Sequence, residues 1–392
     1  PADSYLPLAH LNKEFLVEDL IMTVQTPYKY DVVGSFLRPE KLKQARKDFE
    51  AKKITKDELT KIEDACITDL IQKEKAAGLH VITDGEFRRA TWHLDFMWGF
   101  DGVSHTPTKT GLPFHGEAAM IDDTYITGKV GVNGTHPFVE HFKFVKQFED
   151  ENTIAKQTIP APAQFLEQMI LPFAMENTKK YYADTEELVQ DIANGYKVVI
   201  QQLYDAGCRC IQFDDCSWGM LVDEKAPLFF QTDQDGLLKV QELFLRINNL
   251  AIEGKPEDLV INTHVCRGNF HSTYASSGAY DAVAKTLFAK ENVHAYFLEF
   301  DDARSGGFEP LKEVTPDKKV VLGLVTTKSA ELEDKDAVIA RIKEASQYVP
   351  LENLCLSPQC GFASCEIGNK LTEEQQWAKV KLVKEIAEEV WG

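Results

Sequence analysis

A repeating alternation limits what this chain can fold into. Apolar runs of strand length end in polar or small residues, and amphipathic helical stretches follow them. The runs are Asp31-Val-Val-Gly-Ser35, Leu79-His-Val-Ile-Thr-Asp84, Cys210-Ile-Gln-Phe-Asp-Asp215, Leu259-Val-Ile-Asn-Thr-His264, Ala295-Tyr-Phe-Leu-Glu299, Val320-Val-Leu-Gly-Leu-Val325 and Leu354-Cys-Leu-Ser357. Helical periodicity is read over Thr55 to Ala77, Thr185 to Ala206, Gly236 to Glu253, Asp334 to Tyr348 and Thr372 to Val390. Near-continuous apolar strands separated by amphipathic helices are parallel strands covered by helices. This many strand signals in one chain predict a closed (β/α)8 TIM barrel of the α/β class rather than an open sheet. No GxGxxG follows the first run, so a dinucleotide-binding reading lacks its fingerprint. The stretch Phe100 to Asn152, rich in Gly, Thr and His, breaks the rhythm and predicts an irregular insertion after the second strand, a hairpin or lid. Its histidines at 105, 115, 136 and 141 are expected in solvent.

Bulk properties exclude several classes. The formal charge of −19 argues against a nucleic-acid or anionic-membrane partner, because both reward clustered Lys and Arg. Hydrophobic content of 44% with 27% charged residues is the balance of a globular protein. No stretch approaches the roughly 18 uninterrupted apolar residues of a spanning helix, and a cytoplasmic location is expected. Met22 opens a phrase that reads like a natural start, so the segment before it is expected to be a leader or an appended remnant. Eight cysteines raise the question of disulfides, but a chain this long in a reducing compartment uses cysteine for metal ligation or burial.

The polar residues carry the chemistry. Asp84, Glu86, Asp214, Asp215, His264, Cys266, Glu299, Lys328 and Cys360 all fall at or just past the C-terminal ends of the strand signals. A barrel gathers those ends around one mouth. An unpaired carboxylate buried there costs several kcal/mol and is kept where a ligand or metal compensates it. His264 and Cys266, two apart on an extended segment, point to the same side. With Glu299 and Cys360 they offer two thiolates, an imidazole and a carboxylate, enough for tetrahedral zinc, which sulfur ligands favour over magnesium or calcium.

These residues, in order, support a resemblance. Val33-Gly-Ser-Phe36, Thr83-Asp-Gly-Glu-Phe87, Ile211-Gln-Phe-Asp-Asp215, Thr263-His-Val-Cys266, Leu298-Glu299 with Arg304-Ser305, and Ser357-Pro-Gln-Cys-Gly361 resemble the catalytic barrel of cobalamin-independent methionine synthase, in the short form without the duplicated N-terminal barrel. The resemblance implies a zinc-dependent methyltransferase acting on a thiol, most simply homocysteine, with a small-molecule methyl donor. It implies His264, Cys266, Glu299 and Cys360 as zinc ligands, Ser35 and Glu86 as contacts to the carboxylate and amino ends of homocysteine, and Asp214 as a second amino-group anchor. It also implies a division into an N-terminal extension, 1–29, and a single catalytic barrel, 30–392.

The sequence departs from the family at three places. Lys328 stands where the family has a histidine proton donor, so a proton-supplying or charge-holding role falls to lysine. Met220 stands where a glutamate contacts the folate pterin, and Gln164, Phe165 and Leu166 where a tryptophan stacks on it. A 5-methyltetrahydrofolate-type donor therefore competes with a corrinoid protein or a methylated thioether, and the acceptor with other small thiols such as coenzyme M. A porphyrinogen decarboxylase-like lyase would need arginines for several carboxylates and no metal. A non-catalytic zinc-binding barrel would not need Glu86, Asp214 and Asp215. Whether the chain forms a homo-oligomer is left open by the sequence.

Overall fold

The computed structural model describes residues 26–392. The leader expected before Met22, and all but the last few residues of the 1–29 extension, lie outside the described residues. Six parallel strands form one sheet in sequence order: Gln157–Pro160, Cys210–Asp215, Val260–Val265, Ala295–Glu299, Lys319–Val325 and Leu354–Pro358. A second parallel pair, Val81–Ile82 with Ile154–Ala155, continues the sheet beyond Lys156. The extended segment 30–35 closes it. On one side Tyr30 bridges Leu356 and the Asp31 N–H donates to the Leu356 carbonyl at 3.1 Å. On the other side Thr83 Oγ1 donates to the Gly34 carbonyl at 2.7 Å, and the Phe36 N–H to that of Gly85 at 3.1 Å. The result is an eight-fold TIM barrel.

Helices return the chain between strands. Lys56–Ala76 starts at a capping box in which Thr55 and Glu58 satisfy each other's backbone N–H. Thr185–Asp205 and Gln234–Ile252 start on the side-chain caps Asp184 and Asp233. Their inner faces and the outward residues of the strands make one apolar cluster running from Val32 to Ile386. Among the described residues, no helix is long and apolar enough to cross a membrane.

Two features differ from the sequence reading. The third barrel strand was not among the expected runs. Lys156, Gln157 and Thr158 are buried in and beside it, and their polarity hides the strand from a hydropathy pattern. The insertion is a hairpin, Asp101–Thr106 paired antiparallel with Asp123–Gly131, carrying a smaller hairpin of Leu112–Phe114 and Glu117–Ala119. It is followed by an ordinary barrel helix, Pro137–Lys146. His136 is fully buried and caps that helix, contrary to the exposure expected of it.

Candidate metal and substrate site

Residues two apart on a strand share a face, and neighbours in register on parallel strands do too. Asp214 is in register with His264, and Phe297 with His264, so these inward positions climb together toward the mouth. The lumen begins on apolar ground, a small cluster of Val33, Phe297, Val321 and Cys355. Above it the polar groups are linked. Lys156 lies over the Phe297 ring at 4.8 Å, stands 3.5 Å from Asp31 Oδ1, and donates to Gln212 Oε1 at 2.9 Å. Gln212 Nε2 in turn donates to Asp214 Oδ1 at 2.7 Å. This chain fixes one oxygen of Asp214, and neither Lys156 nor Gln212 was singled out from the sequence as a site residue.

At the mouth, His264, Cys266 and Cys360 bring one donor atom each to within 4.8 Å of one another, all three buried. Cys266 Sγ is 3.7 Å from Cys360 Sγ and 3.7 Å from Glu299 Oε1, and His264 Nε2 is 3.4 Å from Cys360 Sγ. Zinc bonds of about 2.0–2.3 Å at tetrahedral angles place neighbouring donors about 3.4–3.8 Å apart. His264, Cys266 and Cys360 have spacings that suit that ion, while Glu299 stands beside the group, in contact with Cys266. The imidazole is oriented for it as well: Nδ1 faces the Phe297 carbonyl at 3.2 Å, which assigns the proton to Nδ1 and leaves Nε2 to the sulfurs. Glu299 Oε2 accepts from the Arg267 N–H at 2.9 Å. Hydrogen bonds from the Cys216 and Cys360 thiols, with the nearby imidazole, hold Cys266 well below the usual thiol range. Cys216 lines the same cavity.

Ser35, Glu86, Asp214 and Trp92 line the cavity beside these donors. Glu86 sits in a turn where Gly85 and Glu86 both have φ of +64°, and an added Cβ on Gly85 would lie 2.4 Å from Leu70. Non-glycine residues adopt that conformation at a cost, and such strain collects at functional sites. Glu86 Oε1 accepts from Thr158 at 2.8 Å and stands 3.3 Å from Arg89, while Oε2 is buried without a partner. Burial, then the charge of Glu86, pushes Asp214 up to about 7, and burial raises Glu86. Two facing carboxylates that are costly to ionise together suit a cationic ligand group.

Asp215, one residue on, faces away from the lumen. Its carboxylate accepts from the Ser217 N–H at 3.0 Å and from Asn248 at 3.1 Å, and Asn248 also donates to Glu291 at 3.0 Å. Burial, with the charge of Asp215, pushes Glu291 from 4.5 up to about 8. Folded Glu291 keeps a proton that the unfolded chain has lost, so its stabilising contribution is complete below about pH 4.5 and is lost as the pH rises through about 8. Glu291→Gln is expected to flatten that part of the decline in stability, read from urea midpoints between pH 5 and 8.5. Parallel pH profiles for variant and wild type would refute it.

Lys328, expected to supply a proton or hold negative charge, directs its ammonium to the turn after Cys266. Its ammonium donates to Asn269 Oδ1 at 2.7 Å, the Thr273 carbonyl at 3.0 Å and the Gly268 carbonyl at 3.4 Å. Arg304 pairs with Asp302 and with Asp301, at 3.3 Å from the latter, and stands 3.8 Å from Glu299. At the positions of the family's folate contacts, Gln164 Oε1 accepts the Cys216 N–H at 3.0 Å, and Phe165 and Leu166 are fully buried in the core.

The barrel's mouth gathers His264, Cys266 and Cys360 beside the carboxylates of Glu86 and Asp214, and comparison with known proteins places such a barrel among methyltransferases of the methionine synthase type. Residues 172–389 match the family model for the catalytic domain of cobalamin-independent synthase. The Bacillus subtilis uncharacterized protein YxjG is 45% identical, covering 93% of this chain and 95% of that one. A methionine synthase of Pyrococcus abyssi is 25% identical, with 84% and 85% covered. The crystal structure of a putative vitamin-B12 independent methionine synthase from Listeria monocytogenes superposes with a TM-score of 0.74 at 38% identity, over 93% of this chain and 98% of that one. The chain belongs to the cobalamin-independent methionine synthase family.

Proposed function

We propose that the protein is a zinc-dependent methyltransferase that transfers a methyl group to homocysteine, giving methionine. The observation that carries this reading is the buried donor cluster of His264, Cys266 and Cys360, with Glu299 3.7 Å from the Cys266 sulfur, opening on the same cavity as Glu86 and Asp214. Residues 30–392 are taken as one catalytic unit, working in the reducing cytoplasm. Zinc held by these four side chains would lower the pKa of a bound thiol so that the acceptor is a thiolate at neutral pH. The chain's own residues then do the positioning. Glu86 Oε2, buried and unpartnered, and the Asp214 carboxylate, steadied by Gln212, hold the acceptor's ammonium. Ser35, whose hydroxyl accepts from the Ala363 N–H at 3.3 Å, receives its carboxylate end. The ammonium neutralises two carboxylates that repel each other, so binding favours an amino-acid thiol over one lacking an amino group, such as coenzyme M.

The donor is a separate question. Met220 and the buried Phe165 and Leu166 supply no polar or stacking contact for a pterin, which favours a corrinoid or thioether donor over methyl-folate. Purified protein is expected to carry about one zinc per chain and to methylate homocysteine from at least one donor in a panel of methyl-folate, methylcobalamin and methylated thioethers. Protein that holds no zinc, or that methylates coenzyme M but never homocysteine, would overturn the reading.

A further inference from the structure

We propose that Lys328 is a positioning residue that clips together the two turns bearing the Cys266 and Cys360 thiols, rather than a proton donor. The inference rests on the zinc reading above and deepens it. Cys266 and Cys360 leave the strands Val260–Val265 and Leu354–Pro358, which are not neighbours: Ala295–Glu299 and Lys319–Val325 lie between them. No ladder hydrogen bond therefore sets the distance between the two sulfurs. As thiolates they would also repel each other.

Lys328 follows the intervening strand Lys319–Val325 and reaches sideways. An ammonium has three N–H donors, and the three acceptors Asn269 Oδ1, Thr273 O and Gly268 O all belong to the turn after Cys266. Asn269, only 5% exposed, passes the restraint on. Its Nδ2 donates to the Gly361 carbonyl at 2.8 Å and to Ser364 Oγ at 3.0 Å, both on the turn after Cys360. Asn369 donates to Asn269 Oδ1 at 3.0 Å and to the Thr327 carbonyl at 2.9 Å, and Thr327 Oγ1 donates to the Gly361 carbonyl at 2.9 Å. The network runs from the residue beside Lys328, through both turns, and back. It places a full positive charge next to the anionic donor set while leaving no ammonium N–H for the cavity, whose lining does not include Lys328. A proton donor needs a free N–H within reach of the reacting atom; here each N–H already holds the turn.

The test compares wild type, Lys328→Met, Lys328→Arg and Asn269→Ala. Direct hydrogen-bond partners of metal ligands change affinity about 10–100-fold when lost. Lys328 and Asn269 act one bond further out, on the turns that carry the ligands, so the Met and Ala variants are expected to give up zinc to a chelator about 10-fold faster, the lower end of that range. Arginine, which keeps charge and several donors, should recover part of that loss, and the pH profile of kcat/KM should keep its shape in all four. Zinc release unchanged in Lys328→Met, with activity lost on one limb of the pH profile, would overturn the proposal and mark a proton donor. Wild type without zinc would instead bring down the zinc reading. The clip is then judged by capture of a trivalent arsenical, which bridges two thiols with loss of water: unaltered capture by Lys328→Met would overturn it, and weakened capture would uphold it.

Discussion

Cys360→Ala is expected to leave the barrel folded and to strip it of zinc. The thiol is small and only 4% exposed, so its removal leaves a void costing about 1 kcal/mol, well within the stability of a domain of this size. The consequence for the metal is much larger. Cys360 Sγ lies 3.4 Å from His264 Nε2 and 3.7 Å from Cys266 Sγ, so it closes the three-membered donor group. Losing a direct ligand should exceed the roughly 100-fold effect seen when a ligand's hydrogen-bond partner is lost. Zinc measured after dialysis should fall to a small fraction of one per chain, methyl transfer should fall with it, and the urea midpoint should move little. Full zinc occupancy in the folded variant would sink the ligand assignment.

Gly219→Ala is the second large effect, and it reaches the same site from behind. Gly219 lies in the short helix Ser217–Leu221, and an added Cβ would stand 2.0 Å from the Cys266 carbonyl oxygen and 3.1 Å from the Arg267 Cα. These are backbone atoms, so no rotamer change relieves the clash, and either the helix or the Cys266 turn must shift. Overpacking of a fixed interior costs about 1–3 kcal/mol and occasionally more; with only backbone to yield, a loss of about 3 kcal/mol is expected. Because Cys266 moves with its carbonyl, chelator-accessible zinc should rise in the same variant. Gly134→Ala is the control: its Cβ would meet nothing within 4 Å, and a change within about 0.5 kcal/mol is expected. A wild-type urea midpoint for Gly219→Ala would show that the close approach is not a constraint.

Much of this architecture is legible in the order of the residues. The runs read as Cys210–Asp215 and Ala295–Glu299 are strands over those same residues, because hydrophobic runs of that length, buried on both faces, have no other stable use. The third strand is invisible to that logic. Its inward side chains are polar, and only the closed barrel supplies Lys156 with Gln212 and a carbonyl to offset its burial. The run Asp31–Ser35 was read as a strand, yet the segment is held by one bridge and a few hydrogen bonds, since its partners come from opposite ends of the chain.

The site divides in the same way. The spacing of His264 and Cys266, and the placing of Glu299 and Cys360 at strand ends, follow from sequence because a two-residue period fixes which side chains share a face. Lys328 could be located from sequence but not assigned its partners, which are carbonyls and an amide on another loop. Asp214 and Asp215 show where the boundary lies. Sequence determined that two adjacent carboxylates end a strand, and hence that they point to opposite faces. The resemblance picked Asp214 as the substrate anchor, but only the closed barrel gives the physical reason, because the sheet's curvature and the helices packed behind it turn the Asp215 carboxylate outward to Ser217 and Asn248.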